Sequence, residues 1–289
     1  LTKNKARCCI MAIQKEIKDS ILQLIRQKPR TIQEIAETIS KNWRTADRYI
    51  EIIAQETGLI ATRIFREGSR GALKVVYWNS LESSKGSAYQ ERLLHKILQG
   101  KYKEDFSPFD IYQFVDEKKR QSFMETTEFS THEKIRCDTL LAKAQQQVLF
   151  FSGNLSWVEL GPNMRKALEL LAARKVSIKV LTRVDITSHK NTTEMLALNQ
   201  RFGWDAIEIR HCEQPLRAII VDDSLMSIKE VMSPQFCREL KEKSFLFYLI
   251  EDQEWIYWTK KVFWHLWGQS INADERLKAL DSINKLQKV

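Results

Sequence analysis

The stretch from Thr31 to Thr57, TIQEIAETISKNWRTADRYIEIIAQET, constrains the chain most, because its spacing describes two short helices joined by a tight turn. Thr31 followed by Glu34 has the spacing of a capping box, in which each side chain satisfies a backbone N–H that a helix start leaves unpaired. Ile32, Ile35, Ala36 and Ile39 recur at helical spacing and predict one buried stripe. After Ser40-Lys41-Asn42, a second helix carries Ala46, Ile50 and Ile53 on one side and Arg44, Thr45 and Arg48 on the other. Two readings fit this pattern. One is an ordinary helical hairpin with solvated arginines; the other is a helix-turn-helix whose second helix enters a DNA major groove.

The distribution of charge favours the second. The 289 residues carry a net charge of +9, and residues 1–79 hold 15 Lys and Arg against 8 Asp and Glu, seven of those nine charges. Positive charge concentrated on a small unit is the footprint of a polyanion binder. The elements around the pair agree. Met11 to Gln27 reads as a first helix, ended by Lys28-Pro29-Arg30, and Gly58 is placed as the stop of the third. Leu59–Phe65 and Leu73–Trp78 are β-rich runs around the glycine-punctuated turn 66–71. Three helices followed by a hairpin with a basic tip is the order of a winged helix.

On that reading Arg44, Thr45 and Arg48 meet base edges, since arginine reaches guanine O6 and N7 in a bidentate way. Lys41 and Asn42 suit phosphate oxygens, and Arg63, Arg66, Arg70 and Lys74 sit on or near the wing, where contacts position the protein without reading sequence. Trp43 either packs as the staple of its helix or lies against the sugar-phosphate backbone.

Asn79 to Ser87 is rich in Ser and Gly and reads as a linker. Ala88 to about Phe129 reads as helical with a break at residues 105–108, a connector or, through Tyr89, Leu93, Leu94, Ile97 and Leu98, a dimerising helix. From Ser130 onward helices alternate with apolar strands such as Val148–Phe151, Ser177–Leu181, Arg217–Val221 and Phe245–Ile250, while 131–146 reads as a helix. That alternation predicts an α/β layered domain with a partly parallel sheet. The expected organisation is a winged helix at 10–79, a connector at 80–129, the α/β domain at 130–268 and a final helix at 269–289. Trp255, Trp258, Trp264 and Trp267 make the helix near 251–267 apolar on two sides, so one side should meet the sheet and the other a second subunit or the neighbouring domain.

Several classes are disfavoured. The five cysteines are odd in number and show no C-x-x-C pair, so neither a disulfide framework nor a zinc site follows, and no metal or cofactor is expected. No apolar run approaches the roughly 18 residues of a membrane helix, which predicts a cytoplasmic chain without membrane contact.

The segments FFSGNLSW (Phe150–Trp157), SIKVL (Ser177–Leu181) and PLRAIIVDD (Pro215–Asp223) carry a resemblance to the phospholipase D superfamily, in the half-module of archaeal TrmB-type regulators. Active members of that superfamily carry H-x-K-x4-D. Here Arg217 stands at the lysine place, Asp222 at the aspartate place and Pro215 where the nucleophilic histidine belongs. Proline has no side chain that can form a phosphoenzyme, so the resemblance implies a catalytically silent domain. It also implies a small effector, in known cases of that family a sugar.

Such a ligand should sit outside the carboxyl ends of the strands. Ser152, Asn154 and Ser156 offer groups suited to polyols there unless they are plain turn chemistry, and Arg183, Asp185 and Arg217 lie at neighbouring strand ends. Arg217 and Asp222 could also persist as a buried ion pair. The combined expectation is a homodimeric regulator that binds double-stranded DNA in a sequence-specific way. A DNA-targeted phosphodiesterase and a ligand-free architectural DNA binder are its rivals.

Overall fold

The computed structural model describes residues 13–27, 30–66, 72–78, 88–127, 132–159, 162–233 and 242–286. The chain divides into two compact units, Leu1–Ser83 and Ser84–Val289. In the first, α1 (Lys15–Gln27), β1 (Arg30–Thr31), α2 (Ile32–Thr38) and α3 (Trp43–Thr57) precede a hairpin of β2 (Ile60–Arg66) and β3 (Ala72–Trp78). The strand order is β1-β3-β2, with Val76 at the centre, opposite Arg30 on one side and Thr62 on the other.

Local chemistry sets these boundaries. Thr31 and Glu34 form the capping box at the start of α2, with the Thr31 N–H donating to Glu34 Oε2 at 2.7 Å. Ser40 takes the turn at φ 53°, the Asn42 side chain caps α3, and Gly58 ends it in the left-handed region at φ 62°. Ile21, Ile25, Ile35, Ala46, Ile50 and Ile53 are buried from three different helices. This is the winged-helix order of elements that the spacing predicts.

The second unit is built on an eight-stranded mixed sheet of order β11-β7-β6-β5-β8-β9-β10-β4. Its strands are β4 (Arg120–Glu125), β5 (Gln147–Phe151), β6 (Ser177–Thr182), β7 (Ile207–His211), β8 (Ala218–Val221), β9 (Leu225–Met232), β10 (Ser244–Ile250) and β11 (Ile271–Asn272). Among the described residues, only β5–β6 and β6–β7 pair in parallel. β5 is buried on both faces: Val148 and Phe150 point into one core, Leu149 and Phe151 into the other. The first core is closed by α6 (Cys137–Ala142), α7 (Pro162–Ala173), α8 (His189–Phe202) and α10 (Ala273–Leu286). The second is closed by α4 (Ala88–Gln99), α5 (Phe109–Tyr112) and α9 (Gln253–Gln269), giving three layers. The molecule is a two-unit α/β protein.

Three expectations need correction. The segment 88–127 is no helical connector, because Arg120–Glu125 forms the edge strand β4 against β10 and α4 packs in the second unit. Nor are Leu93 and Ile97 of α4 available for dimerisation, since both are buried in the same core as the α9 tryptophans. α4 and α5 contribute buried side chains to the same cluster as α9. Finally, the stretch read as a helix over 131–146 is helical only at Cys137–Ala142 in its described part.

Candidate functional site

Two places gather the residues that the sequence singles out. The first is the outer face of α3. Its inner residues Ala46, Ile50 and Ile53 are buried, which turns Arg44 and Arg48 to solvent and leaves Thr45 half-buried between them. Lys41 and Asn42 are exposed at the start of the helix. Asn42 Oδ1 accepts the Thr45 N–H at 2.9 Å, so the Nδ2 donors are what it can offer a phosphate. Trp43 is no staple: it is 54% exposed, with the Arg44 guanidinium 5.4 Å from its ring.

Lys74 also departs from expectation. Its ammonium bonds to Asp47 at 2.6 Å and to Glu51 at 3.3 Å, tying β3 to α3. Burial alone would lower its pKa, but the two carboxylates outweigh burial and hold it above the usual lysine value. Lys74 thereby neutralises two acids that would otherwise repel phosphates from α3. Arg63 and Arg66 belong to β2, and their side chains, like all of Arg70, lie outside the described residues.

The second place is a cavity of about 980 Å³ within the second unit. Ser152, Asn154, Ser156, Arg183 and Arg217 all line it, because the ends of β5 and β6 and the start of β8 meet at one edge of the sheet. The loop after β5 has its own scaffold. Ser152 Oγ accepts the Leu155 N–H at 3.2 Å and the Trp157 indole N–H at 3.1 Å, and the indole stacks on Phe150 at 4.6 Å. Asn154 Oδ1 accepts the Ser156 N–H. The turn-chemistry reading therefore describes the oxygens of Ser152 and Asn154, which hold the loop.

Arg217 is seated by groups that the sequence did not flag. Buried Gln214 donates to the Ser152 carbonyl at 2.9 Å and accepts the Leu216 N–H at 2.6 Å, fixing the turn before β8. Arg217 then donates to the Leu216 carbonyl at 2.7 Å and lies over Gly153, where a Cβ would stand 2.5 Å from its Nη2. A side chain there would displace the guanidinium from this position. Burial, and then the nearby positive charge of Arg183, push the Arg217 pKa down to about 10 against an opposing pull from Glu104.

Asp222 does not pair with Arg217. Its carboxylate accepts three backbone N–H groups, those of Gln145, Gln146 and Gln147, at 2.8–2.9 Å. Cys137 lines the cavity, but burial raises its thiol pKa to about 12, so it stays a protonated thiol near neutral pH. Asp185, expected beside the ligand, sits behind the wall instead: it holds Arg183 at 3.0 Å and accepts bonds from Thr187 and Ser188.

His211 serves the scaffold. Its Nδ1 accepts the Val184 N–H at 2.9 Å, which requires an unprotonated nitrogen there. Burial, then the charge of Arg276, lower its pKa more than Glu213 and Asp185 raise it. A histidine with a depressed folded pKa binds fewer protons folded than unfolded in the window just below its unfolded value. The stability of the second unit should therefore fall as pH drops below about 6.5. Urea midpoints measured across pH 5 to 8 check this, and His211→Ala should flatten that part of the profile. An unchanged slope in the variant would exclude His211 as the source.

Fold and site together define a class: a winged helix-turn-helix in one chain with a mixed-sheet α/β unit that holds a cation-lined cavity. No protein-family model and no curated protein matches the sequence. Among solved structures, the chain is similar to TrmBL2, described as an archaeal chromatin protein with a novel mode of DNA binding. The two share 12% identity over 88% of this chain and 93% of that one, with a TM-score of 0.38. It is also similar to Nuc, a phospholipase D family member from Salmonella typhimurium, at 13% identity over 53% of this chain and 97% of that one, TM-score 0.37. NucT from Helicobacter pylori matches at 11% identity over 53% and 99%, TM-score 0.37. The functional reading rests on the geometry of the chain itself.

Proposed function

We propose that the protein is a sequence-specific DNA-binding transcription regulator. Its first unit reads an operator in double-stranded DNA, and its second binds a small ligand without transforming it. The observation that carries this reading is the outer face of α3, where Arg44 and Arg48 stand exposed one turn apart on a helix whose other side is buried in a winged-helix core. A phosphodiesterase ranks behind it: Pro215 offers no nucleophile, Cys137 is held protonated, and Asp222 is spent on backbone groups.

The active form is a homodimer, since a two-fold operator takes two copies of α3. DNA selected from a random pool should then contain inverted half-sites. Each of Arg44→Ala and Arg48→Ala should cost about 1–3 kcal/mol on that DNA, as for a bidentate base contact. The double variant should fall to the level of random DNA while keeping its helical circular dichroism. Unchanged affinity in the double variant, or selected DNA without a consensus, would overturn the assignment.

A further inference from the structure

The charge around the cavity in the second unit does not suit a neutral ligand. Among the described residues its wall carries the cations Lys103, Arg136, Arg183, Arg217, Lys229 and Lys243, and only two acids, Glu104 and Asp138. Asp138 is held by Arg136 through two hydrogen bonds, at 2.6 and 3.0 Å, and Glu104 lies 3.7 Å from Lys103. Asp185 pairs with Arg183, whereas among the described residues Arg217 makes no ion pair and donates only to backbone carbonyls. Arg183 Nε is buried and makes no hydrogen bond, although it lies 3.0 Å from Asp185 Oδ2. Two guanidiniums converging on one concave site, with Asp185 paired to one of them, leave positive charge that a bound anion would balance.

The remainder of the wall points to a flat body beside that anion. Phe150, Trp157, Ile219 and Phe247 contribute apolar and aromatic surface. One face of the Trp157 ring is covered by Phe150 and its N–H is pinned to Ser152, which fixes the indole as a rigid platform. The volume of about 980 Å³ is at the upper end for small-molecule sites and leaves room for a phosphate together with a planar body.

We propose that this cavity binds an organic phosphate with a planar body, of the nucleoside monophosphate type, with the phosphate at Arg183 and Arg217 and the planar part against Trp157. Gly153 is a positioning residue in this site, because it lets the Arg217 guanidinium lie flat across the loop. The inference deepens the reading of the second unit as a ligand binder. Its test uses no DNA, so its failure leaves the assignment of α3 standing.

The test titrates the full chain with AMP, glucose 6-phosphate, inorganic phosphate and maltose, following heat and tryptophan fluorescence. AMP should bind with quenching, inorganic phosphate should compete with it weakly, and maltose should not bind. Arg217→Gln should weaken AMP at least tenfold and Arg217→Lys less. Gly153→Ala, which keeps the charge but displaces the guanidinium, should weaken it severalfold, and it decides the matter if Arg217→Gln fails to fold. Maltose binding in preference to AMP would overturn the proposal. So would AMP affinity unmoved by both Arg217→Gln and Gly153→Ala, or absence of AMP binding at millimolar concentration. Glucose 6-phosphate binding as tightly as AMP would overturn the planar half of it.

Discussion

Phe263→Ala should destabilise the second unit by about 3–5 kcal/mol, the cost of deleting a large aromatic ring from a core that cannot fully close behind it. Phe263 is completely buried and sits where three aromatic neighbours meet. It packs edge-on against Phe151 at 5.2 Å and Trp264 at 5.4 Å, and it stacks on Trp267 at 5.5 Å. Trp267 in turn has two cations over its ring, Lys179 at 5.4 Å and Arg210 at 4.8 Å, and Arg210 also donates to the Trp267 carbonyl. Removing the ring therefore opens a void between α9 and the sheet and loosens a tryptophan that anchors two strands. Urea unfolding followed by near-ultraviolet circular dichroism measures the loss. A cost below about 1 kcal/mol would show that the layers collapse onto the gap, contrary to the packing described.

What was legible in the sequence follows from how local each cause is. The pair α2 and α3 was readable because its determinants lie within a few residues, a Thr31–Glu34 capping box and Gly58 as a stop, while the cap that Asn42 supplies was read only as a phosphate contact. β4 was not. Its sequence, RQSFME, shows weak alternation and little β-branched character, and its strand character comes from β10, more than a hundred residues away. The same limit applies to α4 and α9. Periodicity identified the apolar sides of both helices, but it does not say which other element covers them. Each therefore looked like an interface for a partner that the same unit supplies. Trp43 shows the converse limit: it shares the helix face of buried Ala46 and Ile50, three and seven residues on, yet it stands at the first turn of α3 and is left 54% exposed.

The cavity was legible where it follows from strand topology. Ser152, Asn154, Ser156, Arg183 and Arg217 stand at strand ends, and strand ends are where layered α/β sheets leave a crevice. The cations Lys103, Lys229 and Lys243 come from a turn, a strand and a loop that no spacing rule connects. Gln214 gave no signal at all, because a glutamine beside a proline reads as an exposed turn, and only the buried pair of bonds it makes reveals its role. The expected pairing of Arg217 with Asp222 could have been excluded from spacing alone. They flank the four extended residues of β8, which hold their backbones about 16 Å apart, beyond the reach of an ion pair.

Asp222 is consequently a structural residue, and its replacement separates the two accounts. Asp222→Ala removes an acceptor of three backbone N–H groups, those of Gln145 and Gln146 near solvent and that of Gln147 in the wall of β5. A hydrogen bond to a charged group contributes about 1.5–3 kcal/mol, and exposed groups recover much of theirs from water. Asp222 also sits at φ 50°, a left-handed conformation that costs alanine about 1 kcal/mol. The expected loss is thus about 3 kcal/mol for Asp222→Ala. Asp222→Asn keeps one acceptor oxygen and tolerates the left-handed region, so it should lose about 1 kcal/mol. If Asp222 instead supported Arg217 across the strand, the effects of Asp222→Asn and Arg217→Gln would couple. A double-mutant cycle should give a coupling energy near zero. Coupling above about 1 kcal/mol would restore the ion pair and remove the free guanidinium on which ligand binding at the cavity depends.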